Sequence, residues 1–151
     1  MSAFRTLGVI GAGQMGAGIA QVAAACGLNT LLKDSTYDAA LAGLARIQKQ
    51  LQRAVEKGRM SEDTRIETLN RIHVCTDLEE FKAVDIAIEA VPEDEALKKQ
   101  VLKQLEQVLR RRAIIASNTS SISITRLGSA AQFPSRVVGM HFMQPVPLMQ
   151  L

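Results

Sequence analysis

Three glycines at fixed spacing, Gly11-Ala-Gly13-Gln-Met-Gly16, stand between an apolar run and an alanine-rich one. The first run, Thr6–Ile10, reads as a buried strand, and Gln14–Cys26 reads as a helix stopped by Gly27. The hexapeptide alone is a weak signal. Here a second strand, Asn29–Lys33, follows the helix and ends on Asp34. In that setting Gly11 permits the tight turn, Gly13 lets the backbone approach a pyrophosphate, and Gly16 lets helix and strand pack closely. The phosphates are expected on the open amides and positive dipole end of the helix that starts near Gln14. An aspartate at position 34 can accept hydrogen bonds from both ribose hydroxyls and repels a 2′-phosphate. The expected cofactor is therefore NAD rather than NADP, with Lys33 beside the carboxylate weakening that exclusion slightly. The predicted cofactor loop comprises Gly11, Ala12, Gly13, Gln14, Met15 and Gly16, together with Asp34. FAD shares the fingerprint, and an ordinary glycine turn with Asp34 as a helix cap is the structural alternative.

Strands and helices keep alternating beyond Asp34. Helices are expected at Tyr37–Lys57 and Glu62–Arg71, broken at Gly58, and again at Asp94–Leu109 and Ile122–Leu127. Further strands are expected at Ile72–Cys75, Val84–Glu89, Ala113–Ser117 and Arg136–His141. This order implies an α/β fold, a Rossmann-type doubly wound and mostly parallel sheet with an inserted helical pair after the second strand. The whole chain, residues 1–151, is expected to be one domain, with Pro145 and Pro147 resembling a connection onward. A net charge of +3, interleaved with acids, and a chain without Trp argue against a nucleic-acid partner. No apolar stretch reaches membrane-spanning length and no signal-peptide pattern precedes Leu7, so a cytoplasmic protein without a membrane partner is expected. Cys26 and Cys75 match no metal-ligand spacing and are expected to be buried, reduced thiols.

Ligands of open parallel sheets bind beyond the carboxyl ends of the strands. Four polar groups fall there: Glu89 to Glu93, Ser117-Asn-Thr-Ser-Ser121, His141 at the end of the last strand, and Gln144. His141 is the only histidine so placed, and imidazole is the side chain best suited to take a hydroxyl proton near neutral pH. Of the adjacent Ser120 and Ser121, one can cap the helix at Ile122 while the other faces ligand. His73 is expected to be structural, on an inner strand. On the helix from Tyr37, the cations Arg46, Lys49, Arg53 and Lys57 fall on one face, opposite Leu44, Ile47, Leu51 and Val55. That stripe reads either as a solvated face or as a landing strip for a polyanionic carrier such as coenzyme A. Arg110-Arg-Arg112 is expected to complement the C-terminus of the preceding helix.

Together the segments VIGAGQMGAGIAQ, IEAVPEDEALKKQ, SNTSSISIT and GMHFMQPVPLMQL resemble the NAD-binding domain of the L-3-hydroxyacyl-CoA dehydrogenases, including the bacterial 3-hydroxybutyryl-CoA enzymes. The resemblance covers essentially the whole chain. It implies reversible, NAD-dependent oxidation of a 3-hydroxyacyl-CoA to the 3-ketoacyl-CoA, in fatty-acid metabolism or a related route. It further implies His141 as the base and Ser120 as the hydroxyl contacting substrate and nicotinamide. Glu93 and Lys98 would be cofactor-side contacts, and Lys57 would meet the coenzyme A phosphates. The family has Asn where this chain has Gln144, which lengthens that nicotinamide contact by a methylene. The family's carboxylate partner of the histidine falls just past Leu151. The resemblance further implies an all-helical second domain, which closes over the acyl chain and supplies most of the dimer contact in the family, and residues 1–151 are expected not to contain it. A standalone NAD-binding protein without turnover remains the alternative, and a homodimer is expected only with the helical domain.

Overall fold

The structure is a computed structural model and describes residues 4–151. Six strands form one sheet in the order β3-β2-β1-β4-β5-β6. They are β1 (Thr6–Ile10), β2 (Asn29–Lys33), β3 (Ile72–Val74), β4 (Ile86–Glu89), β5 (Ile114–Ser117) and β6 (Val137–Gly139). All neighbouring pairs are parallel. The sheet is thus wholly parallel among the described residues, and the strand order reverses between β1 and β4. Helix α1 (Gln14–Ala25) joins β1 to β2, and the expected helical pair, α2 (Tyr37–Glu56) and α3 (Glu62–Asn70), follows β2. On the other side, α4 (Glu95–Val108) joins β4 to β5 and the short α5 (Ile124–Gly128) lies between β5 and β6.

Each face of the sheet carries its own apolar cluster, as double winding requires. Leu7, Val9 and Leu32 pack with Ile19 of α1 and with Ile47 and Leu51 of α2. Ile10 and Ile115 pack with Leu102 and Leu105 of α4, Leu127 of α5 and Phe81. Phe81 belongs to a 3₁₀ segment, Leu78–Ala83, that the sequence pattern does not announce. A capping box between Asp77 and Glu80 starts this segment. Its buried phenyl ring lies against Gly8, where an added Cβ would come 2.2 Å from the ring. Gly8 is therefore a packing requirement.

Several expectations need correction. The last strand covers only Val137–Gly139: Arg136 before it closes a 3₁₀ turn, its guanidinium reaching back to the Ala113 and Arg110 carbonyls, and after it pairing stops at Gly139, opposite the end of β5 at Ser117. His141 consequently lies in the loop beyond the strand. Helix α5 begins at Ile124 and not Ile122, with Ser123 as its cap accepting from the Arg126 N–H, so neither Ser120 nor Ser121 caps it. Strand β3 is an edge strand, so His73 is exposed there and not on an inner strand. Cys26 is exposed at the end of α1, whereas Cys75 is buried with its thiol pushed up to about 12, chiefly by burial and then by the Glu80 charge. Arg110 does not serve the end of α4. It donates to the Ala83 carbonyl and to the Asp85 carboxylate at 2.7 Å, across the base of the sheet. Arg111 stacks over the Phe133 ring.

Candidate functional site

The glycine loop lies where the strand order reverses. Ile10 pairs with Lys33 on one side and with Glu89 on the other, so three strands end together beneath it. Gly11 turns there with φ of +98°, and its N–H donates to the Lys33 carbonyl at 2.8 Å. A Cβ on Gly16 would sit 1.6 Å from the Gly11 carbonyl oxygen, so this contact tolerates no side chain. A Cβ on Gly13, by contrast, would meet nothing within 4 Å. Thr36, Ser61, Asp94 and Ser123 supply side-chain caps to α2, α3, α4 and α5, whereas α1 starts at Gly13 without one. Its first amides face the open side of a glycine cradle, an arrangement that fits a pyrophosphate.

Asp34, just past β2, accepts from the Ala12 N–H through Oδ2 and from the Ser35 N–H through Oδ1, both at 2.6 Å. The Ser35 hydroxyl also donates to Oδ1, at 3.2 Å, so three of a carboxylate's about four lone-pair sites are used and room for a ribose hydroxyl remains. Thr36, not Asp34, caps the following helix. A cleft of about 880 Å³ opens beside Gly11, Asp34 and Ser35, walled by Ile10, Val91, Leu97 and Val101. Its apolar walls beside the Asp34 carboxylate suit the adenosine end of a dinucleotide. Lys33 lines the same cleft, its ammonium donating to the Thr76 carbonyl at 3.0 Å and to the Asp34 backbone carbonyl at 3.4 Å.

A second cleft, about 330 Å³, gathers Met15 of the loop with Glu93, Lys98, Asn118, Ser120, His141 and Gln144. Glu93, Ser120, His141 and Gln144 are exposed, whereas Lys98 beneath them is buried. Glu89 and Lys98 are wholly buried and joined at 2.7 Å. The other Glu89 oxygen accepts from the Ser117 hydroxyl at 2.6 Å, and the Val91 N–H donates to Oε1 at 2.8 Å. Lys98 also donates to the Val91 carbonyl at 3.0 Å and lies 3.8 Å from Glu93. Glu93 accepts from the hydroxyls of Thr119 and Ser121. Burial alone would raise its carboxyl, but the Thr119 hydroxyl, the Lys98 charge and the Ser121 bonds hold it below the ordinary glutamate value. Asn118 ties the two loops together, its side-chain oxygen accepting from the Phe142 N–H at 2.8 Å.

The third cleft, about 370 Å³, runs from Gln14, Gly18 and Gln21 of α1 to Arg53 and Lys57 at the end of α2. Its far wall is the loop from Gln144 to Leu148. Val146, buried, seats this loop on Gly18, where a Cβ would come 2.9 Å from the valine. Arg46 leaves the expected stripe: its guanidinium donates to the Ala12 carbonyl at 3.0 Å.

Residues 6–151 match the family model described as 3-hydroxyacyl-CoA dehydrogenase, NAD binding domain. The chain belongs to that family. A probable 3-hydroxybutyryl-CoA dehydrogenase of Bacillus subtilis is 47% identical over 95% of this chain and 50% of its own length. The 3-hydroxybutyryl-CoA dehydrogenase of Bradyrhizobium diazoefficiens is 45% identical over 97% of this chain and 50% of its own. The crystal structure of (S)-3-hydroxybutyryl-CoA dehydrogenase from Ralstonia eutropha superposes with a TM-score of 0.96 at 43% identity, covering 99% of this chain and 53% of that one. The α subunit of a fatty acid oxidation complex from Acinetobacter baumannii is 46% identical over 95% of this chain and 20% of its own. The chain spans about half the length of the 3-hydroxybutyryl-CoA dehydrogenases it matches. Among the described residues no helix is long and apolar enough to cross a membrane, and no His, Cys, Asp and Glu cluster could hold a metal.

The NAD-binding domain contains three groups that sequence reasoning did not single out for the site. Glu89 was visible only as an acid at a strand end, and its partnership with Lys98 depends on α4 folding back over β4. Thr119 and Asn118 sit in a polar run where any of several hydroxyls and amides looked equivalent. The Glu-to-Lys spacing across a strand end and the next helix is the signal that could have found the pair.

Proposed function

We propose that this domain is the cofactor half of an enzyme interconverting L-3-hydroxyacyl-CoA and 3-ketoacyl-CoA, with residues 1–151 holding NAD and the substrate's reacting end. The observation that carries this reading is the second cleft. It brings Ser120, His141 and Gln144 to the mouth of the dinucleotide loop, at Met15. Bound NAD supplies the two-electron acceptor. His141 takes the proton of the substrate's 3-hydroxyl. The Ser120 hydroxyl donates to the substrate oxygen and faces the nicotinamide, and Gln144 offers its amide to the nicotinamide from the opposite loop. Glu93 and Lys98 line the same cleft, and both are cofactor-side contacts in this reading. Lys57, exposed at the end of α2 beside Arg53, receives a coenzyme A phosphate. The cleft between them, with Leu51, Met60 and Val146 on its walls, suits the less polar part of the carrier.

The test is NADH oxidation on adding acetoacetyl-CoA, followed in a single turnover with protein in excess. His141→Ala should slow it by roughly 10²–10⁴-fold, the usual worth of a positioned base, while NADH affinity stays close to that of the unaltered protein. Lys57→Ala should weaken acyl-CoA binding in a salt-sensitive way and leave NADH binding alone. Equal rates with and without His141, or equal rates with acetoacetate and its CoA thioester, would overturn the assignment.

A further inference from the structure

Ala12 is held from two sides by residues outside the glycine loop, through the N–H of the peptide before it and the carbonyl of the peptide that joins it to Gly13. The Ala12 N–H donates to Asp34 at 2.6 Å and the Ala12 carbonyl accepts from the Arg46 guanidinium at 3.0 Å. Gly43, three residues before Arg46 on α2, lets the helix come this close, because a Cβ there would lie 2.7 Å from both the Ala12 oxygen and its methyl. In a trans peptide the carbonyl and the next N–H point in opposite directions. A carbonyl fixed toward α2 therefore aims the Gly13 N–H away from α2. Gly13 is exposed, and a Cβ there would meet nothing within 4 Å. A cation on a carbonyl also withdraws charge from the peptide and strengthens its N–H as a donor to an anion.

We propose that Arg46 is a positioning residue for the cofactor: by holding the Ala12 carbonyl it presets and polarises the Gly13 N–H for a phosphate of the dinucleotide. This rests on the NAD reading of the loop and adds to it a residue on another element. It also separates Arg46 from Arg53 and Lys57, which face a different cleft on the same helix.

The experiment compares Arg46→Ala and Arg46→Lys with the unaltered protein by calorimetry against NADH and against adenosine, which lacks the phosphates. The amide resonance of Gly13 is followed by NMR in the ligand-free proteins. Arg46→Ala should weaken NADH on the order of tenfold, as expected for a lost charge-assisted hydrogen bond, and Arg46→Lys should recover part of it. Adenosine binding should be little changed, and the Gly13 amide should move in the alanine variant before any ligand is added. An unchanged NADH affinity overturns the proposal. Equal losses for NADH and adenosine also overturn it, placing the effect at Asp34 and the ribose. A weakened NADH affinity with an unmoved Gly13 amide overturns it as well, because the guanidinium would then meet the phosphate directly. If the unaltered protein bound no NADH, the NAD reading itself would fail, and that result is distinct from the other three.

Discussion

Replacing Lys98 with Met should cost more stability than most single changes in this protein. The ammonium is buried, with three bonding partners within reach: Glu89 at 2.7 Å, the Val91 carbonyl at 3.0 Å and Glu93 at 3.8 Å. Methionine fills the same volume, so a cavity contributes little. What remains is the Glu89 carboxylate, wholly buried and supported only by the Ser117 hydroxyl and the Val91 N–H. Breaking a buried pair from one side costs about 3–5 kcal/mol. A small domain loses roughly 1–3 kcal/mol per molar urea, so the urea midpoint should fall by roughly 2 M. Glu89→Gln in the same chain as Lys98→Met removes the stranded charge and should recover at least half of the loss. Equilibrium urea unfolding of both singles and the double closes the cycle. A loss under about 1 kcal/mol in Lys98→Met, or a double variant as weak as the two singles added, would refute the picture of a mutually dependent buried pair.

Three other outcomes follow from the geometry. Gly13→Ala should leave thermal stability within about 1 kcal/mol, since its Cβ enters open space, yet lower NADH affinity by at least about a hundredfold in calorimetry if that space is where the pyrophosphate lies, as proposed. Asp34→Ala should weaken NADH by about tenfold and narrow its lead over NADPH; equal affinity of the unaltered protein for both cofactors would contradict the role of this carboxylate. Asp85 accepts from the N–H groups of Arg5 and Thr6 and pairs with Arg110, which hold its carboxyl below the ordinary aspartate value. It is a lowered acid, so its stabilisation is present above the unfolded value near pH 4 and lost as pH falls through the folded one. Asp85→Asn should thus melt earlier at neutral pH and lose less on acidification, as read from melting curves across pH.

The parts of the fold that read correctly are those fixed by local chemistry. Gly11, Gly13 and Gly16 are constrained within a single turn, and Asp34 by a strand of defined length, so their positions follow from spacing alone. The opposite faces of α2 are likewise set by its period, with Ile47 and Leu51 buried as expected. What failed depended on partners distant in the chain. Arg136 looks like a strand residue until the Ala113 and Arg110 carbonyls arrive to bind it. Ile122 looks like the first residue of a helix, but the Thr119 hydroxyl takes its N–H and delays the start to Ile124. Arg46 belongs by period to the basic stripe, and only the approach of Gly43 to Ala12 removes it. The segment Leu78–Ala83 is too short for any periodicity to show.

The arrangement around Glu89 explains why a costly buried pair lies under groups that must stay exposed. The proposed base and hydroxyl, His141 and Ser120, are on loops, which by themselves leave side chains free to wander. Both loops trace back to Glu89. Its backbone carbonyl accepts from the Asn118 N–H at 2.9 Å, and the Asn118 side chain accepts from Phe142, next to His141. Its carboxylate fixes Ser117 at the root of the serine loop and Val91 at the root of the Glu93 loop. An apolar pair in the same volume would pack as well, and such replacements are often neutral or stabilising. It would offer the Ser117 hydroxyl and the Val91 N–H no acceptor, however, and the serine and Glu93 loops would lose their common side-chain anchor. Stability alone therefore does not account for Glu89 and Lys98. Their directional bonds fix the root of the serine loop against the root of the Glu93 loop, and orientation of reacting groups to within a fraction of an ångström is what the proposed site requires.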